Sequence, residues 1–169
     1  GAFTALSPKD GALRALVGGF NFNHNKFNRA IQAKRQPGSN LKPFIYASAL
    51  EQGYTPATLI NDAPVVFHDS NLESNWRPQN YSKKFYGPTR LREALYKSRN
   101  LVSIRILRSI GIDTATEFLT RFGFDKDRLP NNLSLSLGSA DVTPLELVTG
   151  YAGLANQGFK ITPYFIDRI

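Results

Sequence analysis

Apolar runs at residues 3–6 and 12–20 flank Ser7-Pro8-Lys9-Asp10-Gly11, where Pro, Asp and Gly supply tight-turn geometry, so the chain is predicted to open with a two-stranded hairpin. Gly18-Gly19 ends the second strand. Residues 21–28, with Asn21, Asn23, Asn25 and Asn28, then read as a loop leading toward Gln36-Pro37-Gly38. From residue 39 to 52 the period becomes helical: Leu41, Phe44, Ile45, Ala47, Ser48 and Ala49 supply an apolar face, Pro43 falls in the first turn, and Gly53 offers a stop. Residues 54–86 hold Pro56, Pro64, Pro78 and the single Trp76 without a sustained helical period, as in a long ordered loop wrapped around a site. Beyond Gly87-Pro88, Thr89 is placed to cap a helix bearing Leu91, Ala94 and Leu95. A break at Lys97-Ser98-Arg99-Asn100 precedes a helix over 101–110, with Leu101, Ile104 and Leu107 or Arg108 on its faces and Gly111 closing it. Asp113 is expected to cap a third helix carrying Ala115, Phe118, Leu119 and Phe122. Thr143-Pro144-Leu145-Glu146 is a capping box with Pro at the first helical position, Gly158 is its stop, and residues 161–169 return to strand-like alternation. Strands at the ends and helices between them predict a mixed α+β chain.

The 169 residues, 41% hydrophobic and 12% aromatic, suffice for a domain with a core, which excludes a peptide hormone or a disordered tail. Lys and Arg number 21 against 13 Asp and Glu, and the resulting +8 favours anionic partners such as nucleic acid, anionic lipid or acidic polymer. The basic residues are dispersed apart from Lys34-Arg35 and Lys83-Lys84, and no recognition-helix or zinc-finger pattern accompanies them, which argues against nucleic acid. The absence of cysteine removes disulfides, thiolate catalysis and Cys-based metal sites. His24 and His68 lie far apart in polar, loop-like contexts and read as surface histidines. No stretch approaches the roughly 18 uninterrupted apolar residues of a membrane span, and residues 1–7 lack a signal-peptide pattern.

Two segments can carry chemistry. In Gly38-Ser39-Asn40-Leu41-Lys42 a serine at a predicted helix N-terminus precedes a lysine by one turn, on the same face. A hydroxyl is a weak nucleophile until a base takes its proton, and lysine is that base only when burial or a positive field, such as a helix N-terminus, lowers its pKa. The same N–H groups would stabilise an oxyanion formed at Ser39. Taken alone, the residues also read as a serine helix cap with a solvated lysine. In Ser98-Arg99-Asn100, at a break between helices, the hydroxyl can pass a proton and the carboxamide can bind a peptide amide through both its donor and its acceptor, or the segment simply caps a helix end.

In this order, Ser-x-x-Lys followed by Ser-x-Asn is the signature of penicillin-binding proteins and class A β-lactamases. Ala5-Leu6-Ser7-Pro8-Lys9-Asp10-Gly11-Ala12, Phe27-Asn28-Arg29-Ala30, Arg35-Gln36-Pro37-Gly38-Ser39-Asn40-Leu41-Lys42-Pro43-Phe44, Gly87-Pro88-Thr89-Arg90-Leu91-Arg92-Glu93-Ala94-Leu95 and Ser136-Leu137-Gly138-Ser139 resemble the transpeptidase domain of class A penicillin-binding proteins, most closely the 1A type. The resemblance covers essentially the whole chain. It implies a helix–antiparallel sheet–helix sandwich, only partly present here. It also implies a serine D,D-transpeptidase, without cofactor or metal, that cross-links peptidoglycan stem peptides and is acylated by β-lactam antibiotics. By the same resemblance Ser39 is the nucleophile, Lys42 its base, Ser98 a proton relay to the leaving amine and Asn100 a substrate-binding residue. Residues 76–81 either border the cleft or pack the helical half onto the sheet.

The family's third motif, Lys-Thr-Gly or Lys-Ser-Gly, is absent, so residues 1–169 are expected to form the N-terminal part of the domain. The C-terminal strands, an upstream glycosyltransferase domain and a membrane anchor holding the enzyme at the periplasmic face of the bacterial inner membrane are expected outside this chain, alongside cell-wall synthesis partners. The rival readings are a hydrolase of the same fold, either a β-lactamase or a D,D-carboxypeptidase, and a non-catalytic basic module that binds anionic polymer or membrane.

Overall fold

A computed structural model describes residues 1–66 and 76–168. In chain order the elements are β1 (Phe3–Leu6), β2 (Leu13–Val17), α1 (Arg29–Gln32), α2 (Lys42–Glu51), β3 (Leu59–Asp62), β4 (Gly87–Arg90), α3 (Leu91–Tyr96), α4 (Asn100–Ile110), α5 (Ile112–Arg121) and α6 (Pro144–Ala155). Single 3-10 turns lie at Gly38–Leu41, Lys126–Arg128 and Leu133–Leu137. The described residues group into two compact units, one from residues 1–37, 117–130 and 140–168, the other from residues 38–116 and 131–139. Helices and two antiparallel strand pairs give the α+β class that the pattern predicts.

In the first unit β1 and β2 form the expected hairpin, with Phe3 opposite Val17, Ala5 opposite Ala15 and an irregularity before Leu6. Asp10 Oδ1 accepts from Ala12 N at 3.0 Å across the turn. The second strand ends at Val17, short of residue 20, because the chain at Gly18 lies against Asn28: a Cβ there would fall 1.9 Å from Asn28 Oδ1. The expected loop contains one helical turn, α1, whose four residues are too few to show a period. Asn28 caps it by accepting from Ala30 N at 3.0 Å. The strand expected over 161–169 reduces, among the described residues, to one parallel bridge between Tyr164 and Ala12. Pro163 has no N–H to extend that ladder. The capping box of α6 forms as read: Thr143 Oγ1 accepts from Glu146 N at 3.2 Å, and Glu146 Oε2 accepts from Thr143 N at 2.8 Å.

In the second unit α2 packs on α4, and α3 and the 3-10 turn Leu133–Leu137 pack on both. Leu41, Phe44, Ile45, Leu101, Ile104 and Leu107 are fully buried. Gly53 (φ +89) and Gly111 (φ +90) end α2 and α4 as expected. Three expectations change. The long loop over 54–86 contains β3, which pairs with β4 so that Leu59 faces Arg90 and Asp62 faces Gly87; Asn61, Asp62 and Pro88 erase the alternation that would mark these strands. Thr89 lies in β4 and turns its hydroxyl onto Gly87 O at 3.0 Å, so it does not cap α3. Instead the first N–H groups of α3, from Leu91 and Arg92, donate to Thr58 O and Pro56 O at 2.8 and 3.1 Å. Asp113 sits inside the first turn of α5, which begins directly after Gly111.

The backbone before Ser39 is held by a glycine pair. Gly38 N donates to Gly138 O at 3.2 Å, Gly138 has φ +76, and a Cβ on Gly138 would lie 1.9 Å from Gly38 O. At Gly53 the φ is also positive, but no atom lies within 4 Å of an added Cβ. Gly53→Ala therefore costs about 1 kcal/mol of backbone strain, whereas Gly138→Ala costs more than about 2 kcal/mol because a backbone clash is added. Denaturant unfolding of the two variants side by side checks the order, and equal losses would contradict the packing assigned to Gly138.

Candidate active site

The start of α2 sets two side chains in opposite environments. Ser39, in the 3-10 turn Gly38–Leu41, is exposed, while Lys42, the first residue of α2, is 1% exposed. Lys42 is followed immediately by the buried Phe44 and Ile45, and the helix is buried on nearly every side, so its lysine is drawn in with the core. The reading of Ser39 as a helix cap with a solvated lysine is thereby corrected. The N-cap position of α2 is Leu41, no side chain caps it, and Lys42 is not solvated.

The ammonium of Lys42 donates to Ser98 O at 2.8 Å, to Ser98 Oγ at 3.0 Å and to Asn100 Oδ1 at 2.7 Å. An ammonium has three N–H groups, and these acceptors use all of them. None is a carboxylate, so the charge is solvated by neutral dipoles without a counter-ion. Burial accordingly lowers the lysine pKa from 10.5 to about 8. Of the two routes open to a basic lysine, a positive field or burial, burial is the one this site uses. The sign for stability follows: the folded pKa lies below the unfolded one, so the cost of the buried charge is fully present below pH 8 and is relieved as pH rises toward 10.5.

Ser98 meets Lys42 because of how α3 ends. Arg99 N donates to Ala94 O at 2.8 Å and Ser98 N to Leu95 O at 2.9 Å, the paired bonds of a Schellman motif. The position in that motif that needs left-handed backbone is normally glycine, and here it is Ser98, at φ +55. Strain is accepted at a position where the side chain is in use: the hydroxyl and the carbonyl of this one residue both reach the ammonium.

Asn100 opens α4 and is fixed at both ends of its side chain. Its Nδ2 donates to Gln79 O at 2.9 Å, which leaves Oδ1 facing Lys42. The two helices are also pinned one turn further on. Tyr46, four residues after Lys42, shares a 3.1 Å hydrogen bond with Ser103, whose hydroxyl donates to Arg99 O at 2.8 Å. Burial pushes the Tyr46 phenol up to about 12, so it stays neutral.

The structure thus brings Lys42, Ser98 and Asn100 into one hydrogen-bonded group and sets Ser39 one turn before Lys42. Residues 79 and 80, from the segment expected to border a cleft or to pack, hold the start of α4: Asn80 Oδ1 accepts from Asn100 N at 2.9 Å. Asn80 and its buried partner Asp62 went unnoticed in the sequence, since both act across 18 residues or more of chain. His24 is exposed, and His68 lies outside the described residues. Among the described residues no group of His, Cys, Asp and Glu could hold a metal ion, and no helix is long and apolar enough to cross a membrane.

The chain belongs to the penicillin-binding protein transpeptidase domain family, whose profile matches residues 1–169. Within that family it is 57% identical over 168 residues to penicillin-binding protein 1A of Pseudomonas aeruginosa, covering 99% of this chain and 20% of that protein. The fold matches the crystal structure of penicillin-binding protein 1A from Haemophilus influenzae with a TM-score of 0.93 at 44% identity, over 96% of this chain and 24% of that one. It also matches the PonA1 protein from Mycobacterium tuberculosis in complex with penicillin V, with a TM-score of 0.84 at 26% identity, over 97% of this chain and 45% of that one. The chain spans about a fifth of the length of the curated relatives it matches.

The strain at Ser98 has a measurable signature. Ser98→Ala keeps the left-handed backbone and loses the hydroxyl, while Ser98→Gly loses the hydroxyl and releases the strain. The glycine variant is expected to be more stable than the alanine variant by about 1 kcal/mol in denaturant unfolding. An alanine variant as stable as the glycine one would show that the backbone at 98 is not strained.

Proposed function

We propose that this chain carries the nucleophile and proton-transfer groups of a serine D,D-transpeptidase that cross-links peptidoglycan. The observation that carries the reading is the buried Lys42 amine, with its pKa lowered to about 8, one turn after an exposed serine and hydrogen-bonded to the Ser-x-Asn segment. At pH 7 about a tenth of such a lysine is neutral, which is enough for a general base.

In the forward half-reaction Ser39 Oγ forms a bond to the carbonyl carbon between the two terminal D-alanines of a stem peptide, and its proton passes to the neutral Lys42 Nζ. The carbonyl oxygen carries the negative charge in the tetrahedral intermediate. When the C–N bond breaks, the leaving amine of the last D-alanine takes a proton from Ser98 Oγ, which recovers one from the Lys42 ammonium 3.0 Å away. The products are an ester on Ser39, free D-alanine and a neutral lysine. An amine from a neighbouring stem then attacks the ester, gives its proton to Lys42, and Ser39 Oγ leaves with a proton returned to it. Beyond its bonds to Gln79 O and Lys42, the Asn100 amide keeps a second N–H and a second lone pair, and through these it pairs with the substrate backbone. A β-lactam enters the same first step, its ring C–N bond breaking, and stays as the ester.

The relatives named penicillin-binding protein 1A support this reading, as does the neighbour solved with penicillin V. By the same likeness the enzyme works at the periplasmic face of the bacterial inner membrane, held by a segment outside this chain, with other cell-wall synthesis proteins as partners. Intact mass of the full-length protein after incubation with a penicillin tests it. A single adduct is expected on the peptide containing Ser39, absent in Ser39→Ala. In Lys42→Arg, where the base cannot lose its proton, acylation is expected to slow by on the order of a thousandfold. A folded protein that forms no adduct, and binds polyanions in a salt-dependent way indifferent to Ser39→Ala, would replace the transpeptidase with a basic binding module.

A further inference from the structure

Asp62, the last residue of β3, is fully buried, and no step above uses it. Both of its carboxylate oxygens accept from Asn80 Nδ2, at 2.8 and 2.9 Å. Among the described residues Arg99 is the nearest cation, with Nε 4.0 Å from Asp62 Oδ2, too far for a hydrogen bond, and its guanidinium stacks 3.3 Å from the Tyr86 ring centre. Asn80 is therefore the carboxylate's close side-chain donor. Asn80 is itself 4% exposed; it also donates to Lys84 O at 2.9 Å, and its Oδ1 accepts from Asn100 N at 2.9 Å and Leu101 N at 3.4 Å.

A side-chain amide has one donor end and one acceptor end, whereas a carboxylate only accepts. Asp62, together with the Lys84 carbonyl, thus decides which end of Asn80 faces α4, and the end they select is the acceptor. That choice matters because the first N–H groups of a helix need acceptors, and the N-cap residue of α4, Arg99, makes no side-chain cap bond. Asn80 supplies the cap from 20 residues upstream. Asn100, whose backbone N–H is held in this way, is the residue whose Oδ1 holds Lys42. The connection runs from carboxylate to amide, to helix start, to lysine, with a hydrogen bond at each step, the first of them buried and the other two partly buried.

We propose that Asn80 and Asp62 are positioning residues for acylation of Ser39: Asp62 orients the Asn80 amide, and Asn80 fixes the start of α4 so that Asn100 and Ser98 hold Lys42 in place. The proposal rests on the transpeptidase reading. Neither residue touches the substrate, so the effect is on the rate of the covalent step.

The test uses full-length protein and a fluorescent penicillin. Varying its concentration separates the pre-covalent dissociation constant from the first-order acylation step, and the final labelled fraction counts active molecules. A residue needed only for folding would lower the labelled fraction and leave the acylation step of the labelled molecules unchanged. Asn80→Ala is expected to slow that step by about tenfold or more, as small misplacements of reacting groups do. Asp62→Asn, nearly isosteric, is expected to slow it by a smaller factor, since one of the two acceptors that orient Asn80 is weakened while Lys84 O remains. Where Asn80→Ala gives no folded protein, Asp62→Asn decides. Wild-type protein labelled at Ser39 together with a folded variant acylating at the wild-type rate would overturn the positioning role alone. Wild-type protein that is never labelled at Ser39 would instead overturn the transpeptidase reading beneath it.

Discussion

A lysine ammonium taken out of water needs an acceptor for every N–H, and at Lys42 all of them come from Ser98 and Asn100. Much of the second unit can be understood as what that requirement demands. The acceptors are neutral, so the cation is held but not locked; a carboxylate in the same place would raise the pKa and keep the lysine charged. Burial without a counter-ion is what leaves Lys42 with a pKa of about 8. The same arrangement makes Ser98 Oγ ambivalent. It accepts from the charged lysine and can donate to the neutral one, as the proton relay proposed for it requires.

Holding two acceptors at the junction of α3 and α4 takes structure that a helix break does not supply by itself. The Schellman turn puts Ser98 in a left-handed conformation, Gln79 O orients the Asn100 amide, and Asn80 caps α4. Tyr46 and Ser103 join α2 to α4 one turn beyond the lysine. Upstream, the Gly38–Gly138 contact fixes the backbone that leads into Ser39. These side-chain, turn and backbone contacts surround the base of the site, while Ser39 stays exposed.

The parts visible in the sequence are the parts whose causes are local. Thr143, Pro144 and Glu146 form their capping box within four residues, and Gly53 and Gly111 stop helices by their own backbone freedom, so these elements fall where the pattern puts them. Ser39, Lys42, Ser98 and Asn100 stand out by spacing and by resemblance to a known family. What the pattern lacks is anything carried over distance. The caps of α3 come from Thr58 O and Pro56 O, and the cap of α4 comes from Asn80, none of which has a local signature. β3 and β4 are missed because Asn61, Asp62 and Pro88 interrupt the alternation, and α1 because one turn has no period. The burial of Lys42 left only a faint trace, a single charge next to Leu41, Phe44 and Ile45, where spacing alone did not distinguish a core lysine from a solvated one.

The proposed chemistry depends on the neutral form of a buried Lys42 acting as the base that activates Ser39. The most direct measurement is the pH dependence of the Ser39 acylation rate constant by a penicillin in the full-length protein, between pH 6 and 9.5. The rate is expected to rise about tenfold per pH unit at the acid end and to level off around pH 8, where Lys42 loses its proton. A rate that is flat over this range, or that falls as pH rises through 8, would contradict the account.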